Sequence, residues 1–150
     1  MKQKIRRRGT AIVNTSKGIL VCSGRRKIFL LPGGGTNKGE TRKHAAMREL
    51  KEETGLLSLR RKYLFTYTEP KYTLEGKKRK IVNKHKVFLI KAKGHAKPRH
   101  EVKHIEYWNP KSKIKLSYHT KRIIEKFSKI PKACRENCTP DLQFTKLALY

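Results

Sequence analysis

The stretch from Leu31 to Leu56 constrains this chain more than any other part of its sequence. Its three consecutive glycines, Gly33–Gly35, predict a loop in which the backbone approaches a ligand closely. The helix formers that follow predict a helix from Arg42 to Thr54. Thr41 is the expected N-cap, and Gly55 stands where a left-handed C-cap would end the helix. The stretch therefore predicts a ligand-binding loop that leads directly into a helix.

Three carboxylates share one face of this helix. Glu49, Glu52 and Glu53 stand at positions i, i+3 and i+4, which lie side by side at about 100° per residue. Like charges so placed destabilise a helix unless something compensates them. Carboxylate oxygens are the ligands that Mg²⁺ and Mn²⁺ prefer, so the pattern predicts one of these cations. A fourth carboxylate, Glu40, comes just before the expected N-cap, close to the glycines.

The net charge of the chain is the second constraint. Lysine and arginine total 39 against 11 acidic residues, and the formal charge is +28. Because four of the acids lie in the stretch described above, the rest of the surface is strongly basic around an acidic site. Such a field attracts polyanions, among them nucleotide polyphosphates, inositol polyphosphates and RNA. The alternative is that the basic surface is a background property of the chain.

The composition of the chain bounds its organisation. Its 150 residues predict one domain, with a basic lead-in at residues 1–8 and a C-terminal extension at residues 131–150. The extension is expected to be either a packed segment or a homodimer contact. No apolar run approaches the roughly 18 residues that span a bilayer, so no membrane partner is expected. Cys22, Cys134 and Cys138 are too few for a disulfide scaffold and fit a reducing cytoplasm.

Hydrophobic patterning predicts the remaining elements. Strands are expected at residues 9–14, 18–22, 28–31, 57–68, 85–91 and 101–108, loops at 70–83 and 94–100, and a second helix from Ser117 or Thr120 to Lys129. In the strand at 85–91 both faces are apolar, which is typical of a central buried strand. Tyr63, Phe65 and Tyr67 follow a period of two and are expected on one face. This order of elements predicts an α+β fold with a central mixed sheet between helices.

The glycines and carboxylates occur in the order and spacing of the Nudix box, the signature of the Nudix hydrolases. Every specified position of that signature agrees, and the matching residues are Gly34, Glu40, Arg48, Glu49, Leu50, Glu52, Glu53, Gly55 and Leu56. The chain therefore resembles this family. One departure is Asn37, where many members carry an acidic residue. That position lies outside the strict signature and bears on substrate or loop detail more than on class.

The resemblance implies a Nudix-type αβα sandwich and a metal-dependent hydrolase of pyrophosphate bonds in nucleoside diphosphate derivatives. Transferred to this sequence, it implies that Glu52 and Glu53 are the principal metal ligands. Glu49 is then a ligand or the base that activates water, Glu40 completes the metal site through water, and the Gly33 carbonyl is a backbone ligand. Arg48 is expected to orient a box carboxylate by bidentate pairing.

Residues outside the box supply further candidates. In some members of the family the base is a glutamate from a later loop, and here Glu101 is the best candidate for it. Two basic groups are candidate substrate-binding residues: Arg25, Arg26 and Lys27, and then Lys77, Lys78, Arg79 and Lys80. The first group is equally consistent with a solvated turn, and the second lies in the predicted loop at 70–83.

Sequence leaves the substrate open. Family members act on nucleoside diphosphate derivatives, nucleotide polyphosphates, RNA 5′ ends or diphosphoinositol polyphosphates, and the loops outside the box determine the choice. The basic field favours substrates with many phosphates. A different class of function is a catalytically weak Nudix-fold module that binds nucleic acid or regulates another protein. The intact carboxylates favour the enzyme, because without a cation they only destabilise their helix.

Overall fold

The structure is a computed structural model that describes residues 2–69, 72–73 and 79–136. The strands in these residues are β1 (Lys2–Ile12), β2 (Asn14–Thr15), β3 (Gly18–Ser23), β4 (Ile28–Phe29), β5 (Gly33–Gly35), β6 (Leu57–Thr68), β7 (Tyr72–Thr73), β8 (Arg79–Lys93), β9 (His104–Trp108) and β10 (Lys115–Leu116). The helices are α1 (Arg42–Thr54), α2 (Tyr118–Ser128) and α3 (Lys132–Glu136).

The main sheet is mixed, with strand order β5-β1-β8-β6 and β7 paired with β8. Strands β1 and β8 run parallel, while β5, β6 and β7 pair antiparallel with their neighbours. A second sheet has the order β2-β3-β9, and β4 pairs with β10. The strands predicted at residues 9–14 and 18–22 are joined as a hairpin, in which β2 pairs antiparallel with β3.

The two long helices pack on opposite faces of the main sheet. Ala46 and Leu50 of α1 join one buried cluster with Ala11, Phe88 and Ile90. On the other face, Ile123, Ile124 and Phe127 of α2 join a cluster that contains Ile12, Val87 and Leu89. The predicted αβα arrangement is therefore confirmed, because β8 alternates its apolar side chains between two helix-covered faces.

Helix α1 lies against β1 at Gly9. A Cβ atom at this position would stand 2.0 Å from the carbonyl oxygen of Arg42 and 2.7 Å from the backbone nitrogen of Ala46. Only glycine allows so close an approach, so this residue sets the distance between the strand and the helix that carries the carboxylates.

The predicted ends of both long helices are confirmed. Thr41 Oγ1 accepts a hydrogen bond from the His44 N–H at 3.1 Å, and Gly55 takes a left-handed φ of 80°. In α2, Ser117 is the N-cap and Lys129 the C-cap.

Three predictions about local structure are wrong. Residues 1–8 are not a lead-in, because β1 begins at Lys2 and pairs with β8 along its whole length. The predicted loop at 70–83 is interrupted by β7 and by the start of β8 at Arg79. The glycine stretch Gly33–Gly35 is an edge strand paired with β1. In each case the strand is held by backbone pairing, which leaves little trace in side-chain patterning.

The three aromatic residues of β6 do not share one face. The register with β8 shifts between Tyr63 and Phe65, so this β-bulge reverses the alternation. Tyr63 contacts Phe88 edge-on on the face of α1, whereas Phe65 and Tyr67 pack against the cluster of α2.

Two further observations concern the surroundings of the chain. Among the helices in the described residues, none is long and apolar enough to cross a membrane. Cys22 and Cys134 are free thiols. Cys138 and the rest of the predicted C-terminal extension after residue 136 lie outside the described residues.

Candidate active site

Arg48, in the middle of α1, is the centre of the polar site. Its Nε and Nη2 atoms donate to the two carboxylate oxygens of Glu40, each at 2.9 Å. Nη1 donates to Glu49 Oε1 at 2.8 Å and to Glu52 Oε2 at 3.2 Å, and Nη2 also donates to the Gly35 carbonyl at 3.0 Å. The guanidinium therefore joins the edge strand β5, the segment before α1 and two helix carboxylates.

The Glu40 carboxylate is strongly stabilised by this pairing. Its hydrogen bonds with Arg48, and then that from the Asn37 N–H, lower the pKa of Glu40 to about 2. The bonds to Glu40, and then that to Glu49, raise the pKa of Arg48 above its ordinary value. The bidentate contact that the sequence predicted is present, and Glu40 is its partner.

Glu53 turns the other way, into a half-buried position between α1 and β3. Its Oε1 accepts a hydrogen bond from the Gly33 N–H at 3.2 Å, and its Oε2 accepts one from Cys22 Sγ–H at 3.3 Å. Burial, reinforced by the negative charge of Glu49, raises the pKa of Glu53 to about 7. Burial and the nearby Glu53 also raise the pKa of Cys22.

Glu49 lies against the backbone of the glycine strand. A Cβ atom on Gly34 would come within 2.6 Å of Glu49 Oε1, so the glycine makes the space that this side chain fills. The close approach predicted for the glycines is therefore present.

The donor set suits a hard divalent cation. Glu49 and Glu53 contact Gly34 and Gly33 of β5, and Arg48 joins Glu40 and Glu52 to the same strand. Carboxylate oxygens are ligands that Mg²⁺ and Mn²⁺ prefer. Within the described residues no group of three His, Cys, Asp or Glu side chains is arranged to hold a metal ion. Arg48 instead compensates three of the carboxylates, and Glu53 is left with a raised pKa beside Glu49. A cation bound beside Glu53 would relieve its repulsion with Glu49.

A cleft of about 470 Å³ opens beside Glu53. Glu101, in the turn before β9, lines this cleft together with Glu53 and Gly33. Further polar and aromatic lining residues come from β1, β8, the residue after β6 and the start of α2: Arg8, Thr10, Glu69, His85, Tyr118, His119 and Thr120. The cleft thus joins the carboxylate site to a polar region that sequence analysis did not identify.

The sequence candidates fall into two groups. Gly33, Glu40, Arg48, Glu49, Glu52 and Glu53 come together, and Glu101 lines the adjoining cleft. Arg25, Arg26 and Lys27 are exposed in the turn between β3 and β4 and do not line it, although the adjacent Gly24 does. Lys77 and Lys78 lie outside the described residues, as do the side chains of Arg79 and Lys80.

Sequence reasoning missed Cys22, Thr10, Glu69 and His85. Each comes from a different strand or strand end, and none belongs to a spaced motif. The available signal was alternation: Arg8 and Thr10 share a face of β1, and polar residues inside otherwise apolar strands mark buried polar contacts.

Comparison with known proteins identifies similar chains. A family model described as NUDIX domain matches residues 4–127. The ADP-ribose pyrophosphatase of Methanocaldococcus jannaschii is 32% identical over 99 residues, which cover 66% of this chain but only 56% of that protein. A crystal structure assigned to the Nudix hydrolase family from Chromobacterium violaceum is 31% identical, with a TM-score of 0.68 over 97% of this chain and 89% of that one. The MutT NUDIX hydrolase from Burkholderia pseudomallei has a TM-score of 0.63 at 20% identity, over 81% and 97% of the two chains, and so shares the fold.

We expect the free energy of unfolding of the metal-free protein to depend on Glu53. Between pH 4.5, its ordinary pKa, and about pH 7, the folded protein keeps a proton on Glu53 that the unfolded chain has lost. The contribution of Glu53 to stability therefore falls as the pH rises through this window. The free energy of unfolding of Glu53→Gln, measured relative to that of the wild type, should therefore rise by roughly 2 kcal/mol from pH 5 to pH 8. Urea unfolding in EDTA at both pH values measures this gain.

Glu125→Gln, an exposed change on α2, is the matched control and should show no such gain. Adding Mg²⁺ at pH 8 should stabilise the wild type more than Glu53→Gln, because the cation compensates the carboxylate. An equal stability difference between wild type and Glu53→Gln at both pH values would contradict the assignment.

Proposed function

Because this chain belongs to the Nudix family of hydrolases, we propose that it is a divalent-metal-dependent pyrophosphohydrolase. The proposed reaction is hydrolysis of a phosphoanhydride bond in a nucleoside diphosphate derivative or a nucleotide polyphosphate. The observation that carries the proposal is the contact set of Arg48, which gathers Glu40, Glu49 and Glu52 beside Glu53 at the end of a cleft.

We assign the metal ligands to the carboxylates of α1. Glu52 and Glu53 would hold the cation, with Glu49, Glu40 and the Gly33 carbonyl as further oxygen donors. When bound, Mg²⁺ or Mn²⁺ neutralises phosphate oxygens and lowers the pKa of a water. The role of Arg48 is positioning: from a rigid helix, its bidentate contact with Glu40 and its bond to Glu49 keep both carboxylates in place.

Two residues compete for the role of general base. Glu49 is held by Arg48 at 2.8 Å and lies against Gly34. Glu101 is exposed in the turn before β9 and lines the cleft. It could therefore take a proton from a water without also serving as a metal ligand. A base must come within hydrogen-bonding distance of the proton that it takes, and both positions are compatible with this requirement.

The similarity to an ADP-ribose pyrophosphatase supports ADP-ribose as the first substrate to test. The test is phosphate or mononucleotide release in Mg²⁺ from ADP-ribose, nucleoside triphosphates, a diphosphoinositol polyphosphate and 5′-triphosphate RNA. We expect hydrolysis of at least one nucleotide, with activity lost in EDTA and restored by added Mg²⁺ or Mn²⁺. Absence of hydrolysis across this panel would contradict the proposal and favour a binding or regulatory module.

The base is identified by comparing Glu49→Gln with Glu101→Gln. If Glu49 is the base, Glu49→Gln should lower kcat by about two orders of magnitude or more while Glu101→Gln has a small effect. If Glu101 is the base, the order reverses and Mn²⁺ affinity is unchanged in Glu101→Gln. Steady-state kinetics and Mn²⁺ titration of both variants separate these cases. Near-normal kcat in both variants would exclude both residues.

The charge of +28 favours a second candidate, hydrolysis or binding of RNA 5′ ends. Lysine and arginine contacts to nucleic-acid phosphates release counterions, so affinity falls steeply as salt rises. Steering by the basic surface is also screened over about 8 Å at physiological ionic strength. For an RNA substrate we expect KM to rise strongly between low and moderate salt while kcat stays nearly constant.

The basic group Lys77, Lys78, Arg79 and Lys80 provides the matched variant. Changing all four to glutamine should flatten the salt dependence for RNA and leave ADP-ribose hydrolysis nearly unchanged. A KM that is insensitive to salt for every substrate would show that the basic surface is a background property of the chain.

A further inference from the structure

A network of hydrogen-bonded polar side chains lies at the wall of the cleft, away from the α1 carboxylates. Thr10 Oγ1 lies 2.9 Å from His85 Nδ1, and His85 Nε2 lies 2.8 Å from Glu69 Oε1. Asn83 Nδ2 donates to the other oxygen of Glu69 at 2.6 Å. Thr10, His85 and Asn83 are each more than nine-tenths buried. Their hydrogen bonds therefore hold the carboxylate of Glu69 in a single position from the interior side.

The protonation states of the side chains in this network follow from burial and hydrogen bonding. Burial opposes ionisation of Glu69, but the bonds from Asn83 and His85 outweigh it and hold the pKa of Glu69 below its ordinary value. Burial lowers the pKa of His85, which is therefore neutral at pH 7. Its Nε2–H then donates to Glu69, and its Nδ1 accepts from the Thr10 hydroxyl. The Thr10 hydroxyl and the His85 Nε2–H are thus used within the network, and what Glu69 has left are acceptor lone pairs.

The position of Glu69 suits one end of a nucleotide. Gly33 pairs with Thr10 of the neighbouring strand β1, and the imidazole of His85 bridges the Thr10 hydroxyl and the Glu69 carboxylate. One strand spacing, two hydrogen bonds and one ring therefore separate Gly33 from the Glu69 carboxylate, a span of at most roughly 13 Å. This span is comparable to that from the β phosphate of a nucleotide to the far edge of its base. A substrate whose phosphates lie beside Glu53 would therefore bring its base to Glu69 along the same cleft.

An exposed aromatic ring stands at the rim of this part of the cleft. Tyr118, at the start of α2, is 65% exposed and packs edge-on against His119, whose Nδ1 lies 2.8 Å from the Tyr67 hydroxyl. A large apolar ring so exposed next to a polar floor is suited to stacking on a flat heterocycle.

We propose that this region is a nucleobase subsite that selects bases with an exocyclic amine over their oxo counterparts. It rests on the proposed function and deepens it by naming the substrate class. An amine on adenine, guanine or cytosine donates to the Glu69 carboxylate. A carbonyl oxygen in the same place, as in hypoxanthine or uracil, faces an acceptor with no proton between them, which is unfavourable.

The test measures binding of mononucleotides to the metal-free, full-length protein by calorimetry. AMP is compared with IMP, and CMP with UMP, because the members of each pair carry the same phosphate and ribose. A hydrogen bond to a charged acceptor predicts a preference for the amino base of about 10-fold to 100-fold. Equal affinities within either pair, or no binding of AMP and CMP, would overturn the proposal without any variant.

Variants then assign the preference to Glu69. Glu69→Gln replaces one acceptor by a donor and should reduce the preference to within about threefold, while Glu125→Gln should keep it. Tyr118→Ala should weaken the binding of both nucleotides of a pair by the same factor, because stacking does not distinguish an amine from a carbonyl. An unchanged preference in a folded Glu69→Gln protein would overturn the assignment.

The two proposals fail in different ways. If ADP-ribose is hydrolysed but AMP and IMP bind equally, the subsite is wrong and the proposed function stands. If AMP is preferred over IMP but nothing on the panel is hydrolysed, the subsite stands and the proposed reaction is wrong.

Discussion

The site depends on one guanidinium that compensates three carboxylates. Arg48 bonds to Glu40, Glu49 and Glu52 and to the carbonyl of Gly35, so one side chain ties α1 to β5. Without it, the acidic face of α1 would repel itself and the edge strand would lose a contact to the helix. The packing of α1 on β1 at Gly9 supports the same arrangement, because it sets how closely helix and strand approach.

Arg48 compensates the carboxylates only in part. Glu53 is the one box carboxylate without a bond to Arg48 in the described residues, and its bonds to the Gly33 N–H and the Cys22 thiol do not prevent burial from raising its pKa to about 7. Without a cation, the ionised form of Glu53 is therefore destabilised by its burial. A divalent cation bound beside Glu53 would remove that disadvantage, and metal binding would then be coupled to the stability of the fold.

Local patterns in the chain predicted the parts that act through neighbours in sequence. The helix from Arg42 to Thr54, its caps at Thr41 and Gly55, and the shared face of its carboxylates follow from 3.6-residue geometry and capping chemistry. The buried strand around Val87 and Phe88 followed from alternation, and with the second helix it predicted the layers of the fold. The family signature extends this local information to the candidate metal site, because its residues lie on β5, on α1 and in the short segment between them.

Tertiary structure alone decided the features that join distant segments. The pairing of β1 with β8 turned a predicted lead-in into a strand, and a bulge in β6 placed Tyr63 on the opposite face from Phe65. The polar wall of the cleft arises in the same way, since Thr10, Glu69 and His85 meet only when β1, β6 and β8 are side by side. Sequence determined the helix, its carboxylates and the class of chemistry, because these depend on spacing along one element. The folded sheet determined the shape and hydrogen-bonding character of the cleft, because backbone pairing and register bring together residues that no local pattern connects.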